Sequence, residues 1–170
     1  SPRLITYLAL ERTRISPRPG VAIVAVSKTL QEELLAQYAK AKPHMHVITP
    51  GVVLPQEVLT RAQARAALGL PINRRYVLFV ANDYARKGLS ILLEALRDMD
   101  GVHLLVAGHP GQIERYQAVA GALGLQGRVH FLGSLQNMGV AYFAAEVLAH
   151  PTLEDSFAMV VLEAMAHGLP

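Results

Sequence analysis

The sequence contains no cysteine, which excludes disulfide bonds, thiolate chemistry and zinc sites with cysteine ligands. It also lacks tryptophan, and only 6% of its residues are aromatic. Hydrophobic residues nevertheless make up 52% of the 170 residues, enough for a sizeable core. Because alanine, valine and leucine dominate that fraction, the composition favours α/β layers over an all-β sandwich.

The sequence also has only a small excess of positive over negative charge. The net charge is +3 at pH 7, and the basic residues are scattered except near the amino terminus. Nucleic-acid binding requires a basic stripe with interleaved aromatic residues, and the sequence has none, so we expect no nucleic-acid partner. Anionic small molecules such as phosphates fit this mild positive charge.

Long hydrophobic runs are missing too. The longest, such as Val21–Val26, have the length of a strand and are too short to cross a bilayer. Ser1 is not followed by the charged and then apolar leader of a signal peptide. The sequence stops at Pro170, just after a predicted helix. We therefore expect a fragment of a longer, cytoplasmic protein.

From Tyr76 onward, strand-length apolar runs alternate four times with helical patterns. This alternation predicts parallel strands with right-handed crossovers, the arrangement of a Rossmann-like doubly wound sheet. The predicted strands are Tyr76–Ala81, Val102–Ala107, Val129–Leu132 and Val147–His150, and the predicted helices are Gly88–Arg97, Ile113–Leu123, Met138–Ala145 and Phe157–His167.

The part before Tyr76 is less regular. Val21–Val26 has the continuous apolar pattern of a strand buried on both faces, and Ser27 can cap the helix that follows it. The remaining predictions are helices at Pro2–Ile15, Lys28–Tyr38 and Arg61–Leu68, and a short strand at Met45–Thr49.

A doubly wound sheet binds its ligand at the carboxyl ends of its strands. That rule selects the loops that follow the four predicted strands as the candidate site. They are Asn82–Lys87, Gly108–Gly111, Gly133–Gln136 and Pro151–Ser156.

The predicted last helix is apolar on nearly every face, so we expect it to be buried, with Glu163 in its middle. A buried carboxylate needs a cation or strong donors. Glu163 therefore either forms an ion pair with a nearby arginine or accepts hydrogen bonds from the hydroxyl groups of a ligand.

Asp155 and Ser156 lie where that helix begins. Either side chain can cap the helix. The free amides of a helix start are also a ready site for phosphate. Asp155 and Glu163 are separated by about 12 Å on a helix, and two carboxylates with amides between them suit a nucleoside-diphosphate sugar.

Two adjacent basic residues, Arg86 and Lys87, lie in the loop after the first strand of the regular region. They can supply the positive charge that a diphosphate needs. Adjacent basic residues in a loop are often only solvated, but these two fall on the predicted ligand edge.

No metal site is expected. Asp98-Met99-Asp100 has the spacing of a metal-binding triplet, but it precedes a strand and therefore lies at the edge opposite the ligand. The seven histidines are dispersed, without the spacing of a zinc site.

Several segments together resemble, in order, the retaining glycosyltransferases of family 4. The likeness covers about Val21–Pro170, and Asp155 and Glu163 resemble the paired-glutamate signature of that family. The basic loop is most similar to that of lipopolysaccharide core glucosyltransferases. The segments are Ala81–Gly88, Leu105–Gly108, Arg128–Gly133, His150–Leu153 and Asp155–Pro170.

The resemblance implies a GT-B architecture, with two Rossmann-like domains and an active site in the cleft between them. On this basis residues 1–52 are the end of the amino-terminal, acceptor-side domain and the crossing segment. Residues 53–75 connect to the nucleotide-sugar-binding domain, which covers residues 76–170 and is truncated.

The resemblance also implies roles for individual residues in a metal-independent reaction that uses a UDP-sugar or GDP-sugar. Arg86 and Lys87 would bind the donor diphosphate, Glu163 would hold the ribose hydroxyls, and Asp155 would contact the sugar. The remaining donor-site positions are Gly108, Ser156, Phe157, Ala158 and Met159, with backbone amides of Phe157–Val160 completing the phosphate site.

Three positions depart from the family pattern. Asp155 replaces a glutamate that is one methylene longer, which affects the choice or tilt of the sugar. Ala158 stands where many relatives have glycine, and Asn82 stands where many have arginine, although the lipopolysaccharide core subgroup shares the second change.

The expected function is transfer of a hexose, with retention, to a cell-envelope glycan or glycolipid. A nucleotide-sugar epimerase with the same fold and a non-catalytic nucleotide-binding module are the alternatives. Four arginines near the start could also contact anionic lipid headgroups beside an apolar helix face, or could simply be solvated. They are Arg3, Arg12, Arg14 and Arg18.

Overall fold

A computed structural model describes residues 2–170. The chain forms two compact units that divide between Gly51 and Val52. The first unit contains helices α1 (Pro2–Ile15) and α2 (Lys28–Gln37) and strands β1 (Ile23–Ala25) and β2 (Met45–Val47), with a 3₁₀ turn at Ala39–His44. No helix in the described part of the chain is both long and apolar enough to span a bilayer.

The two strands of the first unit pair in parallel, with Ile23 opposite Met45. The predicted cap of α2 is confirmed, because the Ser27 hydroxyl accepts a hydrogen bond from the Leu30 amide at 3.1 Å. The prediction that β1 is buried on both faces is wrong. Only one face packs against α2, which leaves Val24 51% exposed.

The second unit contains a four-stranded parallel sheet in the order β5-β4-β3-β6. Its strands are β3 (Arg75–Val80), β4 (Val102–Ala107), β5 (Val129–Gly133) and β6 (Val147–Leu148). Its helices are α3 (Arg61–Ala67), α4 (Leu89–Arg97), α5 (Ile113–Ala122), α6 (Gly139–Ala144) and α7 (Met159–Ala166). The predicted doubly wound α/β fold is confirmed.

Each face of this sheet carries its own hydrophobic core. Side chains alternate along a strand, so Phe79 packs with Leu89 and Leu93 of α4, whereas Leu78 packs on the other face with α6. Helices therefore cover both faces, as continuous apolar strands require.

One buried charge fixes the start of β6. Arg65 of α3 is 4% exposed and is the only buried charged residue that the structure describes. Its Nη2 atom lies 2.5 Å from Glu146, whose second carboxylate oxygen accepts a hydrogen bond from the Tyr76 amide at 2.6 Å. Helix α3 and strand β3 are thus tied to the residue that precedes β6.

Helix α7 differs from the prediction. It begins at Met159 instead of Phe157, and its capping residue, Ala158, offers no side-chain hydrogen bond. The predicted burial on nearly every face is also wrong. Only Ala164 of this helix is buried, because one side of α7 packs into the core while Met165 stays 67% exposed.

Candidate active site

Two loops meet at the carboxyl edge of the sheet because β3 and β6 are neighbours. Lys87, in the loop after β3, places its Nζ atom 2.6 Å from Oδ2 of Asp155, in the loop after β6. The same ammonium group also donates to the Glu154 carbonyl at 3.3 Å. The lysine and aspartate side chains are 23% and 18% exposed, so this ion pair is partly shielded from solvent.

The Asp155 carboxylate receives three different donors. Besides Lys87, the Phe157 amide donates to Oδ1 at 3.1 Å and Nε2 of His150 lies 3.1 Å from Oδ2. The hydrogen bond from Lys87 is the main cause that lowers the pKa of Asp155, and partial burial opposes it. Asp155 is therefore held as an oriented carboxylate anion.

His150 also contacts the Asp155 carboxylate, and the sequence pattern gives it no role. It lies two residues after the end of β6, and its side chain is 11% exposed. Its Nδ1 atom is buried and has no hydrogen-bond partner among the described residues. The signal that could have identified it was its position at the carboxyl end of a predicted strand.

A glycine allows the two loops to approach so closely. Gly88 has φ 80° and precedes α4, and a Cβ atom at this position would lie 2.2 Å from the Pro151 carbonyl oxygen. A side chain here would push apart the loops that carry Lys87 and Asp155.

A second glycine allows the neighbouring strand ends to approach each other closely. Gly108 follows β4 with φ 136°, and a Cβ atom there would lie 1.8 Å from the Ala81 carbonyl oxygen. Its amide donates to the Gly133 carbonyl at 2.9 Å, and its own carbonyl accepts from Ser134 at 3.2 Å. The ends of β3, β4 and β5 are therefore in direct contact.

Arg86 stands apart from this network. Its guanidinium lies 3.9 Å from Glu154, and the two side chains are 65% and 85% exposed. Such an exposed pair contributes little to stability. The arginine side chain is consequently able to turn toward a ligand at the edge.

Glu163 forms no ion pair within the described residues, so the arginine partner considered from the sequence is absent there. Its partner is Tyr142 of α6, whose hydroxyl donates to Oε2 at 2.6 Å. Glu163 is also only half-buried, so the fully buried carboxylate inferred from the sequence pattern is wrong.

The segment before α7 is already hydrogen-bonded. The Phe157 amide is engaged by Asp155, and the Met159 amide donates to the Phe157 carbonyl at 2.9 Å. Neither Asp155 nor Ser156 caps the helix, because α7 begins after Ala158. A phosphate at this helix start would have to replace local hydrogen bonds of Phe157 and Met159.

Between residues 2 and 170, no group of three histidine, aspartate or glutamate side chains is placed to hold a metal ion. Asp98 and Asp100 follow α4 and precede β4, at the amino-terminal edge of the sheet.

Residues 60–170 match the sequence profile described as "Glycosyl transferases group 1". The chain belongs to this family. A curated group 1 relative, D-inositol 3-phosphate glycosyltransferase of Xylanimonas cellulosilytica, is 31% identical over 163 residues, which cover 88% of this chain and 39% of the relative. The chain spans between 30% and 42% of the length of the curated relatives it matches.

Several solved structures share the fold of this group 1 chain. WaaG, a glycosyltransferase involved in lipopolysaccharide biosynthesis, matches with a TM-score of 0.89 and 24% identity over 100% of this chain and 48% of its own. Anabaena HepE in complex with UDP and glucose matches with a TM-score of 0.75 and 23% identity over 88% of this chain and 43% of its own. At these identities the likeness concerns the fold, which is the Rossmann-like fold of GT-B glycosyltransferases.

The fold of this group 1 glycosyltransferase chain brings together only some of the predicted site residues. Lys87 and Asp155 are in direct contact, whereas the Arg86 side chain pairs, among the described residues, only with the exposed Glu154. Gly108 lies on the same edge, at the end of β4. Glu163 is in a separate environment on α7, bonded to a tyrosine.

Proposed function

We propose that the protein containing this chain transfers a hexose from a nucleotide-diphosphate sugar to a cell-envelope glycan or glycolipid, with retention of configuration. The observation that carries this proposal is the contact of Lys87 with Asp155 at the carboxyl edge. Membership of the group 1 glycosyltransferases supports it. Inositol 3-phosphate is an alternative acceptor, because the curated relatives are named D-inositol 3-phosphate glycosyltransferase.

The proposed donor is a UDP-sugar or a GDP-sugar, bound without a metal ion. In this proposal Arg86 and Lys87 bind the diphosphate, Asp155 contacts the sugar and Glu163 holds the ribose hydroxyls. Gly108, Ser156 and the backbone of Phe157–Met159 complete the donor site. UDP is the first nucleotide to test because the Anabaena HepE structure, which has a similar fold, is a complex with UDP and glucose.

The chemistry proposed for Lys87 follows from its present partner. A diphosphate carries more negative charge than one carboxylate, so it would draw the Lys87 ammonium group away from Asp155. Asp155 would keep its bonds to His150 and the Phe157 amide and would gain a free lone pair for a sugar hydroxyl. Lys87 would then stabilise the charge that develops on the leaving nucleoside diphosphate.

Calorimetry of the full-length protein with UDP-glucose, GDP-mannose and ADP-glucose tests the donor proposal. We expect one donor to bind, and Lys87→Met to weaken it by about tenfold or more, as expected for a hydrogen bond to a charged group. Arg97→Met is the control, because Arg97 is exposed at the end of α4, away from the carboxyl edge. Equal affinities of wild type and Lys87→Met would contradict the assignment.

Product analysis separates transfer from the alternatives. A transferase joins the sugar to an acceptor, and NMR of the new linkage gives its anomeric configuration, whereas an epimerase releases an altered sugar nucleotide. A binding module would bind the nucleotide sugar without forming any product, whereas in an enzyme Glu163→Ala should abolish transfer. We expect the isolated 170 residues to bind nucleotide weakly without turnover, and turnover would refute that expectation.

A peripheral contact with the inner face of the membrane is proposed for α1, in a cytoplasmic protein. Several apolar side chains of this helix are exposed, namely Leu4, Ile5, Tyr7, Leu8 and Leu10. Basic residues accompany them at Arg12 and Arg14, in the last turn. Changing the amino-terminal arginines to serine in the full-length protein should reduce sedimentation with anionic liposomes, and unchanged sedimentation would exclude this contact.

A further inference from the structure

Tyr142 forms a contact that the function proposed above does not use. It lies on α6, is 2% exposed, and donates its hydroxyl hydrogen to Oε2 of Glu163 at 2.6 Å. Burial is the first cause that raises the pKa of Tyr142, and the hydrogen bond to Glu163 adds to it. The phenol therefore stays protonated, and its hydrogen is directed at Glu163.

The tyrosine ring is itself fixed in place. The His167 ring stacks on it with centroids 4.8 Å apart and an angle of 24°. Nδ1 of His167 lies 2.6 Å from the Glu163 carbonyl oxygen, so this nitrogen carries a hydrogen and donates it. Helix α7 thus holds the ring of Tyr142 through the same turn that carries the Glu163 carboxylate.

A neutral donor affects a carboxylate differently from a cation. An ammonium or guanidinium partner would neutralise the Glu163 charge, whereas a phenol orients the group and leaves the negative charge in place. Within residues 2–170 no hydrogen bond is made to the other oxygen, Oε1. One oxygen is therefore fixed, and the other is available as a charged acceptor for hydroxyl hydrogens.

We infer that Tyr142 is a positioning residue that fixes the Glu163 carboxylate so that Oε1 recognises the hydroxyl groups of the donor ribose. This inference rests on the proposed function, since it deepens the role proposed for Glu163. It assigns to the pair a preference for ribonucleotides over 2′-deoxyribonucleotides. A tyrosine needed only for packing would not affect that preference.

The test measures Kd by calorimetry for UDP and GDP, and for their 2′-deoxy forms, on the full-length protein. Tyr142→Phe removes only the hydroxyl. We expect about a tenfold loss of affinity for the ribonucleotide, as for one hydrogen bond to a charged group, and little change for the deoxy form. The ratio of the two affinities should therefore fall toward one.

Tyr116→Phe is the matched control. Tyr116 is also 2% exposed, but it lies on α5 in the hydrophobic core on the other face of the sheet. This variant should keep the wild-type ratio. In a Glu163→Ala background, Tyr142→Phe should have no further effect on Kd, because the group that it positions is gone.

The outcomes separate this inference from the function on which it rests. A wild-type protein that binds neither UDP nor GDP overturns the proposed function, and this inference with it. A wild-type protein that prefers the ribonucleotide, with the same preference in Tyr142→Phe, overturns the inference alone. Equal losses in Tyr142→Phe and Tyr116→Phe also overturn it, because they indicate a general effect of removing a buried hydroxyl.

Discussion

Helix α3 contains two arginines that face the same carboxylate in very different surroundings. Arg65 donates to the Ala144 carbonyl at 2.9 Å and the Ile72 carbonyl at 2.6 Å, and its Nη2 atom lies 2.5 Å from Glu146. Arg61 reaches the same Glu146 oxygen at 3.8 Å, with its side chain 53% exposed. Replacing each arginine in turn by methionine compares what a buried and an exposed ion pair contribute to the stability of the fold.

The two changes should differ by several-fold in free energy of unfolding. Breaking a buried ion pair costs about 3–5 kcal/mol. Glu146 is 33% exposed and keeps its hydrogen bond from the Tyr76 amide, so the lower end, about 3 kcal/mol, applies to Arg65→Met. Arg61→Met should cost about 1 kcal/mol or less, as for surface pairs.

Thermal and urea denaturation of the full-length protein, with and without each change, provides the measurement. For a domain of this size, a loss of about 3 kcal/mol lowers Tm by roughly 10 °C or more. Equal shifts for the two variants would refute the reasoning, because they would show that burial of the guanidinium contributes nothing. A loss below about 1 kcal/mol for Arg65→Met would refute it as well.

Three further predictions concern pH and backbone strain. The pKa of Asp155 is lowered in the folded chain, so its carboxylate contributes stability above its ordinary pKa, and this stability is lost as pH falls through the lowered value. In Asp155→Asn the denaturation midpoint should therefore fall less steeply with pH below about pH 4. Burial lowers the pKa of His103 and His130, whose ring nitrogens lie 3.1 Å apart. The two neutral rings therefore contribute to the stability of the fold above about pH 6.5, and this contribution is lost as the pH falls below it. His130→Phe should therefore reduce the fall in midpoint between pH 7 and pH 5. Gly108→Ala should cost more than about 2 kcal/mol, whereas Gly69→Ala, at φ 65° in open space, should cost about 1 kcal/mol.

Each of these expectations has an outcome that contradicts it. An unchanged acid profile in Asp155→Asn would mean that the bond to its lysine partner does not stabilise the folded chain. A profile for His130→Phe that still falls as steeply would assign the loss to other groups. Equal costs for the two glycine variants, measured by urea denaturation, would show that the backbone at Gly108 moves without strain.

The regular part of the fold could be predicted because its signals are local. Apolar runs of strand length determine β3 to β6, and the rule for parallel sheets places the loops after them at one edge. That rule placed Lys87 and Asp155 on the same edge although they are far apart in the sequence. Their direct contact depends on β3 lying next to β6, which no local pattern reveals.

The errors arise where partners are distant in sequence or where burial depends on packing. An apolar pattern on nearly every face predicts a buried helix, but only one side of α7 enters the core. The sequence leaves Glu163 either an arginine partner or the hydroxyl groups of a ligand, and it does not indicate Tyr142, a neutral residue on another helix. The ion pair between Arg65 and Glu146 joins residues that are distant in sequence, so no periodic pattern of the sequence predicts it.

The two carboxylates that the sequence presents as one motif differ in their electrostatic environment. Asp155 is paired with the Lys87 cation and lies against His150, whereas Glu163 is bonded to a neutral phenol. Two unit charges at 4 Å interact by about 1 kcal/mol in water and by about 4 kcal/mol near a protein surface. A bare carboxylate beside a diphosphate would therefore weaken its binding, and the charge of Lys87, close to Asp155 even after it turns to the diphosphate, would offset that repulsion. Among residues 2–170 Glu163 has no such cation, which supports the proposal that it binds the uncharged ribose hydroxyls and not the phosphates.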